Sequence, residues 1–236
     1  MKILITRPEP KATELSIMLK NNGIDTEVVP LLDIHPIDSK IWQAELAKIN
    51  AIDALIFVST NAVECFMSGE IDPNLKNLPA YALGQSTATL LKKHGFQQIF
   101  YPSLDENSEA LLQLPQLQNV LGQRFLIIRG TTGREFLAKT LKSLGAHVEY
   151  LPVYQNHRRD LSVDEMKKVQ EHYDLILLTS TDALKYFLEL NITTHAKITV
   201  MAGQMQQLAE REQLKNVLLL RSFSNQAICK YLTKSF

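Results

Sequence analysis

Cysteine is scarce: Cys65 and Cys229 are the only two in 236 residues. Each falls in an apolar helical stretch, outside any CxxC or metal-like cluster, and reads as a small buried hydrophobe in a reducing compartment. Neither sign of charge is in excess, since 25 basic and 25 acidic residues cancel. A sequence-independent nucleic-acid binder would be clearly basic, so that class is excluded, and any bound anion must be met by a local pocket. No apolar run approaches the length that spans a bilayer. The segment Met1–Pro8 carries too few apolar residues for a secretory signal. The expectation is a cytoplasmic protein with no membrane and no nucleic-acid partner.

Catalytic signatures are missing too. There is no Walker loop, no GxGxxG and no GxSxG. The six histidines show no metal-ligand spacing, and His147 and His157 read as surface or strand-edge residues. No cysteine has an evident partner base. Asp105, Glu106 and Glu109 read as solvated helix starts, and Trp42 is expected to pack under a linker. These absences point to an enzyme with no metal and no cofactor, one that shapes an inherently reactive substrate.

What is present is ample core material: 45% of the residues are hydrophobic and 21% charged, enough for one large domain or two small ones. Short apolar runs predict strands at Lys2–Thr6, Thr26–Pro30, Ala54–Val58, Ala80–Leu83, Gln98–Tyr101, Phe125–Ile128, Val148–Leu151, Leu175–Leu178, Ile198–Met201 and Val217–Leu220. Most are continuous rather than alternating, as in parallel sheets covered on both faces. Between them apolar residues recur three and four apart, as at Leu15, Met18 and Leu19 and at Phe136, Leu137, Leu141 and Leu144. Gly23, Gly95 and Gly145 follow helical stretches as C-caps. Alternating strand and helix predict an α/β fold with parallel sheets.

The chain also repeats itself. Lys2–Arg7 resembles Arg124–Arg129, and Asp53–Thr60 resembles Asp174–Thr181. Arg129 follows Arg7 by 122 positions and Ser180 follows Ser59 by 121. A weaker match links Ala80–Tyr101 with Ile198–Leu219, and near-constant offsets of this kind indicate an internal duplication. Two layouts remain open. The halves could lie in tandem, divided near Leu121-Gly122. Alternatively, the proline-marked breaks at Pro30–Pro36 and Pro152–Arg159 could be paired linkers between two globules.

In parallel sheets, ligands gather outside the carboxyl ends of the strands, where each following helix offers free N–H groups. The residues there are small, polar or basic: Thr6-Arg7-Pro8, Ser59-Thr60-Asn61, Gly84-Gln85-Ser86-Thr87, Arg129-Gly130-Thr131-Thr132, Ser180-Thr181-Asp182 and Ala202-Gly203-Gln204. Taken singly, the Ser, Thr and Asp are ordinary N-caps. As a set they predict a site for carboxylates or phosphates.

These motifs, in this order, resemble the uroporphyrinogen-III synthase family. The resemblance runs through Ile5-Thr6-Arg7-Pro8, Leu55–Val63, Ala82-Leu83-Gly84-Gln85-Ser86-Thr87-Ala88 and Ser108–Leu112. It continues through Arg129-Gly130, Gly133–Leu137 and Val153-Tyr154-Gln155. One departure stands out: where the family has a second Gly-to-Thr-Ala turn, this chain reads Met201-Ala202-Gly203-Gln204-Met205-Gln206. The glycine that normally ends the next helix is Gln213.

The resemblance implies two similar α/β domains joined by a two-stranded linker, with a cleft between them. Domain 1 would comprise residues 1–34 plus 158–236 and domain 2 residues 37–152, with linkers at 30–37 and 152–159. It implies a lyase of heme and siroheme biosynthesis. The enzyme would dehydrate and cyclise hydroxymethylbilane, a linear tetrapyrrole with eight carboxylates, and invert its terminal ring to give uroporphyrinogen III. Tyr154 would be the catalytic acid. Arg7, Ser59, Thr60, Gly84, Ser86, Thr87, Arg129, Gly130, Ser180 and Thr181 would hold substrate carboxylates. Hydroxymethylbilane synthase would be a transient partner. Rival readings are a non-catalytic two-domain sensor of a small anionic metabolite and a sugar-nucleotide transferase, for which the chain is short.

Overall fold

The computed structural model describes residues 1–103, 105–201, 203–220 and 224–235. The chain opens with β1 (Lys2–Ile5), α1 (Lys11–Lys20), β2 (Asp25–Val28), β3 (Leu32–Pro36) and α2 (Ser39–Leu46). It continues through β4 (Ala54–Phe57), α3 (Thr60–Met67), β5 (Pro79–Ala82), α4 (Gln85–Lys93), β6 (Gln98–Phe100) and α5 (Ser108–Leu112). Next come β7 (Arg124–Gly130), α6 (Phe136–Ser143), β8 (His147–Arg158) and α7 (Val163–Val169). It closes with β9 (Leu175–Leu177), α8 (Thr181–Glu189), β10 (Lys197–Met201), α9 (Gln204–Arg211), β11 (Val217–Leu220) and α10 (Asn225–Ser235).

These elements form two units. Unit 1 comprises Met1–Asp33 with His157–Phe236, and unit 2 comprises Ile34–Asn156. A tandem division near Leu121-Gly122 is therefore not how the chain folds, because both residues lie inside unit 2. Unit 1 holds a sheet of order β11-β10-β9-β1-β2, parallel at each pairing. The second sheet has the order β3-β8-β7-β4-β5-β6, parallel from β8 to β6. The chain passes between units along β3 and β8, which are neighbours in that sheet.

The sequence repeat pairs β1 with β7, β2 with β8, β4 with β9, β5 with β10 and β6 with β11. With that pairing, the orders β11-β10-β9-β1-β2 and β6-β5-β4-β7-β8 coincide strand for strand. Each unit thus takes two strands from one half of the repeat and three from the other. A small lock recurs with them. Asp53 Oδ2 accepts from the Arg124 backbone N–H at 2.8 Å, and Asp174 Oδ2 accepts from the Lys2 backbone N–H at 2.7 Å.

Both sheets bury both faces, which is why their strands read as unbroken apolar runs. In unit 1, Ile3, Ile5, Leu175 and Leu177 pack with Leu15 and Leu19 of α1 and Ile228 and Leu232 of α10. Leu4, Ile176, Ile198 and Val200 pack on the other face with Leu184 and Phe187 of α8 and Leu208 of α9. In unit 2, Leu55, Phe57, Leu126 and Ile128 meet Val63 and Phe66 of α3 and Leu91 of α4, whereas Ile56, Phe125 and Ile127 meet Leu137 and Leu141 of α6. Each such fully buried Leu or Ile contributes about 1.5–3 kcal/mol.

Two expectations change. In α6, Leu137 and Leu141 are buried, but Phe136 and Leu144 are 41% and 43% exposed; Phe136 instead lies beneath the Arg134 guanidinium at 5.3 Å. Trp42 packs against Phe66 of α3, at 5.3 Å between ring centroids, in a cluster that Ile37 also packs against. The strand expected at Val148–Leu151 runs on to Arg158, straight through Pro152. A proline cannot donate to a ladder and is tolerated at a bulge. The pairing shifts there: Arg129 faces Pro152, but Gly130 faces Tyr154, leaving Val153 as the extra residue.

Candidate active site

The carboxyl ends of β4, β7 and β8 bring the chemistry of unit 2 together. Ser59 leaves β4 in an extended conformation and caps α3, its Oγ accepting from Ala62 N at 3.1 Å. Its hydroxyl also lies 3.3 Å from Tyr154 Oη. The phenol reaches this position because the β7–β8 bulge turns it toward Gly130. A Cβ added at Gly130 would sit 2.8 Å from Tyr154 Cε2, so only glycine permits this approach. Thr131 N then donates to Tyr154 O at 2.9 Å, pinning the backbone beyond the bulge. Burial pushes the Tyr154 phenol above the usual tyrosine range, and the hydrogen bond to Ser59 opposes that rise. The phenol is thus protonated at neutral pH, as a proton donor must be.

Arg129 is the penultimate residue of β7, 6% exposed. Its Nε donates to Gly130 O at 3.2 Å, its Nη1 donates to Glu135 Oε1 at 3.2 Å, and its guanidinium lies 4.6 Å over the Tyr150 ring. Tyr150 Oη donates to Glu135 Oε2 at 2.7 Å. Burial and that bond push Tyr150 up to about 12, while the phenol holds the Glu135 carboxyl below its usual range. The arginine expected to take a substrate carboxylate therefore already holds an internal one.

The same is true at α4. Gly84 caps this helix without a side chain, and Gln85 N donates to Glu106 Oε1 at 3.0 Å. A Cβ on Gly84 would lie 2.6 Å from Glu106 Cδ. Beside it Thr87 is buried and Ser86 exposed. Glu109 is an exposed residue in the first turn of α5, as expected, and pairs with Arg134, whereas Glu106 reaches across to the N-terminus of α4. At α3, Thr60 is 9% exposed, and its Oγ1 is buried with no hydrogen-bond partner.

In unit 1, Ser180 caps α8 as Ser59 caps α3, accepting from Ala183 N at 3.1 Å, with Thr181 following, partly buried. Arg7 is 8% exposed, and its Nη1 donates to Asn225 Oδ1 at 2.6 Å. Desolvation lowers this guanidinium to about 10, with Glu14 opposing the shift, so it stays charged at neutral pH. The repeat places Leu32, not a tyrosine, at the position matching Tyr154. Gly203 caps α9 with φ +91°, and Ala202 lies outside the described residues. Gln213, beyond α9, takes φ +53°, a conformation glycine favours.

The sequence set is thus brought together as two groups: Ser59, Thr60, Gly84, Ser86, Thr87, Arg129, Gly130 and Tyr154 in unit 2, and Arg7, Ser180 and Thr181 in unit 1. Sequence reasoning missed Glu106, Glu135 and Asn225. The one available hint was Arg129 and Glu135 flanking a glycine-containing turn, with opposite charges and room to close.

Among the described residues, no group of three or more His, Cys, Asp or Glu is placed to hold a metal ion, and no helix is long and apolar enough to cross a membrane. The family model for uroporphyrinogen-III synthase HemD matches residues 13–230. The uroporphyrinogen-III synthase of Escherichia coli K12 is 31% identical over 246 residues, covering 98% of this chain and 100% of its own length. Among solved structures, uroporphyrinogen-III synthetase from Helicobacter pylori is 21% identical, with a TM-score of 0.61 over 99% of this chain and 98% of its own. A mutant uroporphyrinogen III synthase from Thermus thermophilus, 13% identical, gives a TM-score of 0.64 over 100% and 98%. The two structures share the fold, and the family model and the full-length relative carry the assignment: this chain belongs to the uroporphyrinogen-III synthase family.

Proposed function

We propose that this protein converts hydroxymethylbilane into uroporphyrinogen III, acting as a cyclising hydro-lyase. The observation that carries the chemistry is Tyr154: a protonated phenol 3.3 Å from the Ser59 hydroxyl, among amide-rich strand ends. Tyr154 gives its proton to the departing hydroxyl of the substrate, and the C–O bond breaks with loss of water. The pyrrole nitrogen supplies the electron pair, and an azafulvene results. Attack through a spiro intermediate then inverts the terminal ring before closure.

Uncatalysed, the same substrate closes without inversion. The protein's task is to select one trajectory by holding the chain in one conformation. Carboxylates of the substrate would meet the helix N-termini at Ser59-Thr60, Gly84–Thr87 and Ser180-Thr181, together with Arg7 and Arg129. Glu135 and Glu106 mark two of these places as carboxylate-compatible, because each already presents a carboxylate there. We read the chain as cytoplasmic, in keeping with two buried free thiols, one of which burial pushes to about 11. A short-lived substrate suits a transient hand-over from hydroxymethylbilane synthase. Nothing in the relatives favours the sensor reading.

Chromatographic separation of the product isomers tests the proposal. The purified protein should give the type III isomer, and Tyr154→Phe should slow its formation at least about tenfold with the fold intact. Type I product alone from the wild type would overturn the activity, and unchanged turnover by Tyr154→Phe would remove the phenol as the acid.

A further inference from the structure

The capping serine of α3 does more than its twin in unit 1. Ser59 Oγ accepts from Ala62 N at 3.1 Å, which commits a lone pair to the first turn of the helix. The hydroxyl's other described partner is Tyr154 Oη at 3.3 Å. Ser180 makes the same cap at the same distance, yet the repeat gives it Leu32 where Ser59 has Tyr154. Capping therefore needs no tyrosine. The contact exists because β8 carries a phenol at this position and Gly130, without a side chain, lets it close in.

We propose that Ser59 is a positioning residue for the dehydration step, donating its O–H to Tyr154 Oη as the phenol gives up its proton. This rests on the assignment of Tyr154 as the acid. A phenol whose proton points at the departing hydroxyl offers only lone pairs to Ser59, so the hydrogen bond must then run from serine to tyrosine. The phenol proton passes to the leaving oxygen, which departs as water with the C–O electron pair. The negative charge left on Tyr154 Oη is held by the Ser59 O–H and by the positive end of the α3 dipole behind it. The pyrrole N–H proton, released as the azafulvene becomes neutral, restores the phenol. Serine loses no proton at any stage. The opposing effect of the Ser59 bond on the burial-driven rise of Tyr154 has the same sign.

The experiment separates capping from donation. Ser59→Thr keeps both the cap and the hydroxyl. Ser59→Asp keeps the cap but has no proton to donate, and Ser59→Ala loses both. Ser59→Ala and Ser59→Asp should lose about tenfold in kcat, and Ser59→Thr should recover most of what Ser59→Ala loses; KM should also rise in Ser59→Asp, whose carboxylate repels those of the substrate. In both impaired variants the alkaline limb of the kcat–pH profile should move to higher pH, because a phenol without its donor holds its proton more tightly. Thermal unfolding checks that Ser59→Asp is as stable as the wild type. Wild-type kcat in Ser59→Asp, or a fall in kcat with an unmoved alkaline limb, would overturn the proposal. If Tyr154→Phe is slow while Ser59→Asp is normal, the acid stands and only the serine role fails. If Tyr154→Phe is normal, the acid assignment itself fails.

Discussion

Units 1 and 2 share a strand order, an aspartate lock on the adjoining strand and a serine cap with the same 3.1 Å bond. They part company two residues past the matched prolines, Pro30 and Pro152. Unit 2 carries Tyr154 against Gly130, whereas unit 1 has Leu32, 4% exposed in its core. Both units end strands in serine-capped turns, and unit 2 adds a buried phenol beside its capping serine.

The sharpest way to break this comparison is Tyr154→Phe, with the expected loss of at least about tenfold in type III formation and no change in unfolding temperature. Next is the orphaned hydroxyl of Thr60. Burying an unpaired hydroxyl costs about 1–3 kcal/mol, so Thr60→Val should raise the unfolding temperature by about 2–4 °C or more while raising KM for the tetrapyrrole. Thr181→Val, at a partly buried counterpart, should give no such gain in stability. Equal gains in both would erase the distinction between the units at this position.

The shared lock predicts sameness instead. Asp53→Asn and Asp174→Asn should each lower the unfolding temperature slightly at neutral pH. Hydrogen bonds from Arg124 hold the Asp53 carboxyl below its usual range. Its contribution is therefore present above the unfolded pKa of about 3.9 and lost as pH falls through the folded value. In Asp53→Asn, part of the acid-side decline in unfolding temperature should disappear. The smallest effect lies at the helix ends. Gly95 ends α4 at φ +86°, whereas Gln213 occupies φ +53° past α9. Gln213→Gly should stabilise by about 0.5 kcal/mol, the left-handed penalty less the added chain entropy of glycine. A loss of stability there would show that the Gln213 side chain matters more than its backbone.

How far the sequence could be read depended on the range of the interactions. Alternation of apolar runs with three-and-four spacing revealed the α/β class, because period and burial are written within some ten residues. The caps at Ser59 and Ser180 were legible for the same reason: an N-cap bonds only two or three residues ahead. Phe136 and Leu144 lie at the margins of the apolar stripe of α6 and stay exposed, Phe136 with the Arg134 guanidinium against its ring. Pro152 hid the length of β8, since the bulge that accommodates it depends on β7, 23 positions earlier in the pairing of Arg129 with Pro152.

By itself the chain's order of residues determined two parallel-sheet frameworks, the repeat that relates them and the polar turns at their strand ends. Each of these follows from local periodicity and from short-range hydrogen bonding. Only the tertiary structure decided which partner each charged or hydroxylic group would meet: Glu135 for Arg129, Glu106 for α4, Asn225 for Arg7 and Tyr154 for Ser59. Those pairings depend on how strands far apart in the chain are registered, and a side chain's nearest neighbour in space is set by that register rather than by its neighbours in sequence.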